Sequence, residues 1–473
     1  MRICFLALIL FAVGCSSSRL QSGEMSSLET AARADEKRLP NIVIILTDDM
    51  GYGDLSIHGH PLIRTPNIDQ LAAQGQRWTS YYSSSPLCNQ SRIALMTGRM
   101  PIRIQGGGLN SWANLPDDEL TLGELLGSAG YATAYIGKWG MSGRFGEGKV
   151  HPNDAGFDYF FGVEDFNDGG RRADLEGTYE NIKNSTSEDY SFSLFRQREA
   201  IENPTHQPTL TKRYTEESVA WLKKQAVEKP FFLFLGHTMP HVPIFSSEAF
   251  EGHSKAGRYG DVIEELDWSV GEVVKALGEL GVVSNTLVVF SSDNGPWLTY
   301  YDIGGSPGPF RDGKHTAWEG GFHVPGIFSW PGTIKPSVID ELGVQVDLLA
   351  TIASLTGIPL PEDRRYDSMD LSKTLLSGAP SPRNEWFYYG TVGELWAARV
   401  GKYKLVLESW DSVTKEGEPS EWRGFDRHVK HDPPLLFDLS TDLAERNNIA
   451  SEHPAVVASI RKAIVDYHAT MVD

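Results

Sequence analysis

Cysteine is scarce in this chain, and the scarcity limits how the fold can be held together. Three cysteines occur in 473 residues: Cys4 and Cys15 lie near the N-terminus, and Cys88 lies further along. A protein of this size without a disulfide framework depends on its hydrophobic core. Hydrophobic residues make up 40% of the chain, which is enough for a large core, and the length predicts two domains. The scarcity also leaves Cys88 available for chemistry.

Basic residues are in the minority. The 43 Lys and Arg residues against 62 Asp and Glu residues give a formal net charge of −19, which argues against nucleic acid as a partner. An acidic protein that handles an anionic substrate needs a locally positive pocket, so clustered Lys and Arg side chains are informative. The sequence also lacks internal repeats, heptads and a glycine-rich phosphate-binding motif.

The N-terminus carries an apolar run that is too short for a comfortable membrane span and suits a secretory signal. The run ends in Ala12-Val13-Gly14-Cys15, which resembles a bacterial lipoprotein cleavage site. We expect residues 1–15 to be a lipoprotein signal peptide, with a plain signal peptide as the alternative, and polar residues 16–38 to be a flexible tether. The expected location is outside the cytoplasm, as a periplasmic or outer-membrane (cell-surface) lipoprotein attached through lipidated Cys15.

Two strand ends carry oxygen ligands. The buried strand NIVIIL at 41–46 runs into Asp48 and Asp49, and a second predicted strand at 286–290 runs into Asp293 and Asn294. Open α/β sheets place their sites at such ends, and an alternation of helix and strand near 120–136 indicates a parallel sheet. These oxygen atoms suit Ca²⁺ or Mg²⁺ better than Zn²⁺. For the Asp-Asp pair alone, a solvated turn or helix cap is the alternative.

The segment around Cys88 reads SSSPLCNQSRIALMTGRMP at residues 83–101. Proline and polar residues before an apolar run predict a helix that begins near Cys88. The N–H groups of a helix N-terminus favour an anion or an activated nucleophile. A lone cysteine is otherwise a small buried hydrophobe.

The motif Cys88-Asn89-Gln90-Ser91-Arg92, followed by Thr97-Gly98-Arg99, resembles the signature of formylglycine-dependent (type I) sulfatases, C-x-P-S-R or C-x-A-S-R and then T-G-R. Gln90 stands where proline or alanine is usual. Three further motifs also resemble the family, and the resemblance runs from about Asn41 to the C-terminus. They are Gly137-Lys138-Trp139-Gly140 (usually G-K-W-H-L-G), His241-Val242-Pro243 (His-x-Pro) and the segment from Gly313-Lys314 to Glu319-Gly320-Gly321 (G-K-x-T-x-x-E-G-G).

The resemblance, which is to enzymes of the arylsulfatase A and N-acetylgalactosamine-6-sulfatase type, implies an α/β fold. Residues 39–380 would form an alkaline-phosphatase-like catalytic domain with a large mixed, mostly parallel sheet flanked by helices. Residues 381–473 would form a smaller α+β subdomain with an antiparallel sheet. The implied activity is hydrolysis of sulfate esters, with a sulfated polysaccharide fragment, another sulfated carbohydrate or an aryl sulfate as substrate.

The resemblance also implies the site residues. Cys88 would be oxidised to formylglycine by a sulfatase-maturing enzyme. Ca²⁺ would bind beside it, with Mg²⁺ as the alternative. The implied catalytic residues are Cys88, Arg92, Lys138, His241 and Lys314; the implied metal ligands are Asp48, Asp49, Cys88, Asp293 and Asn294; the implied substrate-binding residues are Lys138, His241, Lys314 and His315.

Several points stay open at this stage. Gly140 replaces a histidine, and His315 is a candidate substitute, while His237 is a candidate supporting residue. The polar segment 164–209 reads as a long irregular loop at the rim of the pocket. Within it, Arg171 and Arg172 are either contacts for a second anionic group or solvated side chains. The rival functions are a phosphoester or phosphonate hydrolase of the same superfamily and a non-catalytic sulfated-glycan-binding protein.

Overall fold

The centre of the fold is the apolar segment that follows residue 40. The computed structural model describes residues 38–105, 114–142, 145, 151–225, 229–390, 392–412 and 428–471. In it, β1 (Asn41–Thr47) is wholly buried and pairs in parallel with β7 (Phe231–Gly236) and with β8 (Thr286–Ser292). Strands that are covered on both faces read as continuous hydrophobic runs, which explains why the sequence predicted β1 and β8.

The larger sheet has ten strands in the order β10-β2-β9-β8-β1-β7-β3-β4-β5-β6. The pairs β2–β9, β8–β9, β4–β5 and β5–β6 are antiparallel and the remaining pairs are parallel, so the predicted mixed, mostly parallel sheet is confirmed. The remaining strands are β2 (Gln76–Tyr82), β3 (Ala132–Lys138), β4 (Tyr159–Val163), β5 (Leu194–Arg196), β6 (Glu199–Glu202), β9 (Gly326–Ser329) and β10 (Ser337–Val344).

Helices cover both faces of this sheet. Because side chains of a strand alternate between faces, Val43 and Ile45 of β1 enter one hydrophobic core and Ile42 and Ile44 enter the other. The first core is completed by α1, α6 and α7, and the second by α2, α4, α9 and α10. The helices are α1 (Pro66–Ala73), α2 (Cys88–Thr97), α3 (Pro101–Ile104), α4 (Leu122–Ser128), α5 (Tyr179–Asn184), α6 (Leu210–Leu222), α7 (Gly257–Glu279), α8 (Glu319–Phe322), α9 (Leu348–Thr356), α10 (Ser372–Ser377) and α11 (Pro454–Ala469).

A second sheet lies near the C-terminus and is antiparallel, as expected. Its strands β11 (Glu385–Tyr389), β12 (Leu395–Val400), β13 (Tyr403–Ser409) and β14 (Val429–Asp438) pair in chain order. Ile460 and Ile464 of α11 pack into a core shared with this sheet. The described residues from Pro40 onwards form one compact unit, and the boundary proposed at 381 stays a prediction.

The segment 164–209 differs from its prediction as an irregular loop. It contains α5 and the hairpin β5–β6, which pairs with β4 and extends the edge of the larger sheet. Leu194 is fully buried there, so a short apolar anchor suffices to add two strands. None of the helices in the described part of the chain combines the length and apolar character that a membrane span needs. The predictions for residues 1–37, including Cys4 and Cys15, lie outside the described residues.

Candidate active site

The predicted oxygen ligands meet because two parallel strands end side by side. Thr47 of β1 is paired with Ser292 of β8, so the residues that follow each strand are neighbours. The backbone N–H of Asp293 donates to Thr47 O at 3.0 Å, and that of Asp49 donates to Asp293 Oδ1 at 3.2 Å. Asp49 has a left-handed backbone with φ 66°, which turns the chain sharply after Asp48.

Each carboxylate of this group is paired with a different cation. Lys138 Nζ lies 2.6 Å from Asp48 Oδ2, Lys314 Nζ lies 2.7 Å from Asp49 Oδ1, and Arg92 Nε donates to Asp293 Oδ2 at 2.7 Å. All six side chains are at most 3% exposed. We call this group of three carboxylates and three cations the site cluster: Asp48, Asp49, Asp293, Arg92, Lys138 and Lys314.

Burial and neighbouring charges act differently on two of these carboxyls. Burial opposes ionisation of Asp48, but the charges of Lys138, His241 and Arg92 outweigh it and hold the pKa well below its usual range. For Asp293, burial and the negative charge of Asp48 raise the pKa to about 7 despite Arg92. An additional cation at this position would therefore favour the ionised form of Asp293.

A divalent cation fits the donors that the site presents. Ligand atoms of Asp48, Cys88 and Asp293 lie within 4.8 Å of one another. Among the described residues, Asp48 Oδ1 and Asn294 Oδ1 are buried without a hydrogen-bond partner, although such atoms are normally paired. Asn294 directs its amide N–H groups to Asp49 Oδ1 and Gly295 O, both at 2.8 Å, so its carbonyl oxygen is left for a ligand. These are hard oxygen donors of the kind that Ca²⁺ and Mg²⁺ bind.

Cys88 is the first residue of α2, as the sequence predicted, and is 7% exposed. Burial raises the pKa of its thiol to about 11. The thiolate is the nucleophilic form of cysteine, so the unmodified side chain is a poor nucleophile at neutral pH. Gln90 is buried two residues further along the helix and accepts a hydrogen bond from Ser85 Oγ at 2.7 Å.

His241 lies on the other side of Asp49. Its Nε2 is 3.8 Å from Asp49 Oδ2, and burial together with the charge of Lys314 lowers the pKa of the ring, which favours the neutral imidazole. Its Nδ1 lies 3.1 Å from Asn167 Oδ1 and 2.6 Å from Val242 O. Asn167 was not identified from the sequence, because an asparagine inside a polar segment carries no distinguishing pattern.

Aromatic rings cover the two lysines. Trp297 lies 4.3 Å from Lys314 Nζ, and Phe166 lies 5.9 Å from Lys138 Nζ. The same two rings flank His241, with centroid distances of 5.5 Å and 6.3 Å. His315 packs edge-on against Trp297 at 5.5 Å, so the structure places it beside Lys314 and its predicted substrate contact stays a prediction.

Gly140 has a steric reason to lack a side chain. Its backbone is left-handed with φ 65°, and a Cβ atom there would lie 2.9 Å from Lys138 Cε and 3.3 Å from Arg92 Cδ. A side chain at this position would therefore require the end of the Lys138 side chain to shift. The glycine leaves Lys138 the space to reach Asp48.

Three of the supplementary candidates lie elsewhere. His237 is fully buried, burial lowers its pKa to about 3, and its Nε2 lies 3.2 Å from Ser269 Oγ. Arg172 is paired with Asp174 and Asp189, each at 2.6 Å, and Arg171 lies exposed beside it. The alternative of solvated arginines therefore describes this pair better than an anion-binding pair does.

Comparison with known proteins identifies the family. The sequence model of the sulfatase family matches residues 40–358, and that of the C-terminal region of aryl-sulfatase matches residues 381–473. The chain belongs to the sulfatase family. The predicted resemblance is thus confirmed, and this sulfatase is a sulfuric ester hydrolase of the arylsulfatase type.

Relatives match this sulfatase along most of their length. Arylsulfatase A of Bos taurus is 38% identical over 445 residues, which cover 90% of this chain and 86% of the relative. N-acetylgalactosamine-6-sulfatase of Sus scrofa is 36% identical, with 89% and 84% covered. The crystal structure of a sulfatase from Pseudoalteromonas sp. superposes with a TM-score of 0.79 at 28% identity and covers 96% of this chain and 95% of its own.

Proposed function

We propose that this sulfatase hydrolyses sulfate esters of carbohydrates through a formylglycine made from Cys88. The observation that carries the proposal is the position of Cys88 at the start of α2, with its sulfur near Asp48 and Asp293. The raised pKa of its thiol makes unmodified cysteine unsuitable as the nucleophile. A carbohydrate substrate is supported by the similarity to N-acetylgalactosamine-6-sulfatase.

The residues around Cys88 divide into those that hold a cation and those that hold the ester. Oxygen atoms of Asp48, Asp49, Asp293 and Asn294 would hold Ca²⁺, or Mg²⁺ with a poorer fit. When bound, the cation supplies positive charge beside the position of Cys88. Arg92 keeps Asp293 in place through its 2.7 Å contact.

Lys138 and Lys314 would bind the sulfate oxygens. Both ammonium groups are almost fully buried and already point towards carboxylates of the site. In a site without bulk water, fixed positive charges stabilise the negative charge that moves onto oxygen as the ester bond breaks. His241 Nε2 faces the same space and would contact the ester oxygen.

The first test is mass spectrometry of the peptide that contains Cys88, after expression with a formylglycine-generating enzyme. We expect loss of the sulfur and gain of an aldehyde oxygen. The Cys88→Ala variant should lose turnover of an aryl sulfate by on the order of 10⁵-fold. An unmodified thiol in active enzyme would contradict the proposal.

Paired substrates distinguish the rival functions. Aryl sulfate and aryl phosphate with the same leaving group should differ strongly in kcat/KM, with the sulfate preferred. A preference for the phosphate would support a phosphoester hydrolase instead. Tight binding of sulfated glycans without hydrolysis, in protein whose Cys88 has been converted, would support the non-catalytic glycan-binding alternative.

The proposed location rests on the sequence of residues 1–15. We infer export and lipidation at Cys15, with release into the periplasm after plain signal cleavage as the alternative. Metabolic labelling with a radioactive fatty acid should label the wild-type protein and not a Cys15→Ser variant. Label in both proteins, or in neither, would remove the lipoprotein assignment.

A further inference from the structure

The amide of Asn167 has a defined orientation. Asn167 is fully buried, and its Nδ2 lies 2.8 Å from Pro243 O, 3.1 Å from Gln207 Oε1 and 3.3 Å from His241 O. Carbonyl and amide oxygens only accept hydrogen bonds. The nitrogen must therefore face these three oxygens, and Oδ1 must face the imidazole of His241.

This orientation determines which nitrogen of His241 carries the proton. Nδ1 lies 3.1 Å from Asn167 Oδ1 and 2.6 Å from Val242 O, and both of these atoms are acceptors. Nδ1 must donate, so in the neutral ring the lone pair is on Nε2. The same amide also binds the carbonyl groups of His241 and Pro243, so one side chain holds both the ring and the backbone that carries it.

The neighbours of the ring keep Nε2 directed into the site. Phe166 is nearly parallel to the imidazole, at 16°, and Trp297 is tilted against it. Asp49, which faces Nε2 at 3.8 Å, is itself held by Lys314 and by the amide of Asn294. Rotation of the ring by half a turn would place the carbon Cδ2 against the oxygens of Asn167 and Val242, and both contacts of Nδ1 would be lost.

We propose that Asn167 is a positioning residue that holds His241 with its proton on Nδ1 and its lone pair on Nε2. The inference rests on the proposed function, in which His241 faces the substrate. With its lone pair on Nε2, His241 accepts a hydrogen bond from a hydroxyl group in the site, and it contacts the ester oxygen as a donor only once Nε2 carries a proton. It cannot give one to the leaving alcohol before it has accepted one. Lys314 Nζ, which has three hydrogens, is then the group that donates to the leaving oxygen.

The first test observes the proton directly and does not need turnover. The ring nitrogens of ¹⁵N-histidine-labelled protein are recorded by NMR with and without calcium, and the His241→Gln variant identifies the signals of His241. We expect a protonated Nδ1 and an unprotonated Nε2 in the wild-type protein. A protonated Nε2 beside an unprotonated Nδ1 would overturn the proposal, whether or not Cys88 is converted.

The second test separates positioning from stability. Asn167→Ala should lower kcat for an aryl sulfate by on the order of 10- to 100-fold, with KM and calcium affinity changed less than threefold. Asn167→Asp keeps an oxygen in front of Nδ1, so it should retain more of kcat than the alanine variant and keep the same tautomer. A kcat within twofold of wild type in Asn167→Ala would overturn the proposal.

Asn153 provides the matched control. Its amide also donates two hydrogen bonds, to Phe157 O at 2.8 Å and to Gln197 Oε1 at 3.1 Å, but these groups contact no member of the site cluster. Asn153→Ala should lower stability without changing kcat. If Asn167→Ala does not fold, the wild-type spectrum and Asn167→Asp still decide the proposal, because a loss of the Nδ1 proton in either would contradict it.

Discussion

Two groups of buried charges in this protein use similar side chains for different ends. One is the site cluster at the ends of β1 and β8. The other, here the C-terminal cluster, consists of Glu319, Lys404 and Glu445 with the hydroxyl groups of Tyr82 and Tyr388. The three charged side chains of the C-terminal cluster are at most 1% exposed, as the site cluster is almost fully buried.

In the C-terminal cluster, cations and hydrogen-bond donors of the protein surround the carboxylate oxygens. Lys404 Nζ lies 3.0 Å from Glu319 Oε1 and 2.9 Å from Glu445 Oε1, and Glu445 Oε2 accepts the backbone N–H of Glu319 at 2.7 Å. Tyr388 and Tyr82 donate to the two oxygens of Glu319. Glu445 Oε1 accepts no hydrogen bond among the described residues, but it lies in the 2.9 Å ion pair with Lys404, so every carboxylate oxygen there faces a cation or a donor within the protein.

The site cluster differs in one respect. Its buried oxygen Asp48 Oδ1, and Oδ1 of the adjoining residue Asn294, have no hydrogen-bond donor among the described residues. A buried group of charges whose oxygens all face cations or donors has a structural role. A group in which some oxygens lack a donor is suited to binding a ligand. The comparison therefore predicts that calcium stabilises the site cluster only, and the following experiments test that difference.

The largest expected effect is that of Lys138→Met on activity. Removal of this ammonium takes a fixed positive charge from the transition state, so kcat/KM for an aryl sulfate should fall by on the order of 10³-fold. The variant also leaves Asp48 without its closest cation, so its unfolding midpoint in urea should drop and should recover when calcium is added. If calcium does not raise the midpoint of this variant, the predicted difference between the two clusters is wrong.

The second effect is that of Lys404→Met on stability. Two buried glutamates would lose their shared cation, which should lower the free energy of unfolding by about 3 kcal/mol or more, with no recovery in calcium. The matched control is Lys402→Met, because Lys402 is 52% exposed and paired with Asp438; its loss should cost about 0–1 kcal/mol. Equal losses in the two variants would contradict the assignment.

Calcium itself should have a somewhat smaller effect. At 100 times its Kd, calcium should raise the free energy of unfolding by about 2.7 kcal/mol, as measured by calorimetric titration and urea unfolding. Asn294→Leu removes a ligand oxygen without changing the charge, so calcium should raise the free energy of unfolding of this variant by less. Calcium should stabilise Glu445→Gln as much as it stabilises wild type, because the oxygens of the C-terminal cluster already face cations or donors of the protein.

The smallest effect concerns pH. Burial raises the pKa of Glu445 to about 7, against the attraction of Lys404. Between about pH 4.3, the ordinary glutamate pKa, and pH 7, the folded protein then binds more protons at Glu445 than the unfolded chain does, so the free energy of unfolding falls as pH rises through that window.

Glu445→Gln removes this titration. Measured in saturating calcium, which suppresses the titration of Asp293, its loss of stability between pH 5 and pH 8 should be smaller than that of wild type by about 1–3 kcal/mol. Exposed Glu452→Gln should follow the wild-type curve. A Glu445→Gln curve parallel to that of wild type would show that the carboxyl is ionised throughout.

Those parts of the fold with continuous apolar runs could be predicted from the sequence. The segments at β1 and β8 are buried on both faces, so their composition alone identified them, and the strand ends then located Asp48 and Asp293. The helix at Cys88 followed from its proline and apolar run. The hairpin β5–β6 did not, because its apolar anchors Leu194 and Phe195 are two adjacent residues in a polar segment.

The contacts that complete the site depend on the folded chain. Asn167 is separated from His241 by 74 residues, and no local pattern connects them. The reason for Gly140 lies in the path of Lys138, which the sequence does not show. In the sequence, Lys404 looks like an ordinary lysine of a strand. Its burial results from the packing of β13 against the segment that carries Glu319, and this packing is not visible in the sequence.

The C-terminal cluster also bears on gene exchange between relatives. Lys404 donates to Ala317 O at 2.8 Å as well as to Glu319. These two residues lie three and five positions after Lys314 in the chain. A recombination point near residue 381 would separate this lysine from the glutamate it neutralises. Chimaeras made there should be active only when both parents supply the same charges at 319, 404 and 445, so these three positions have to be inherited together.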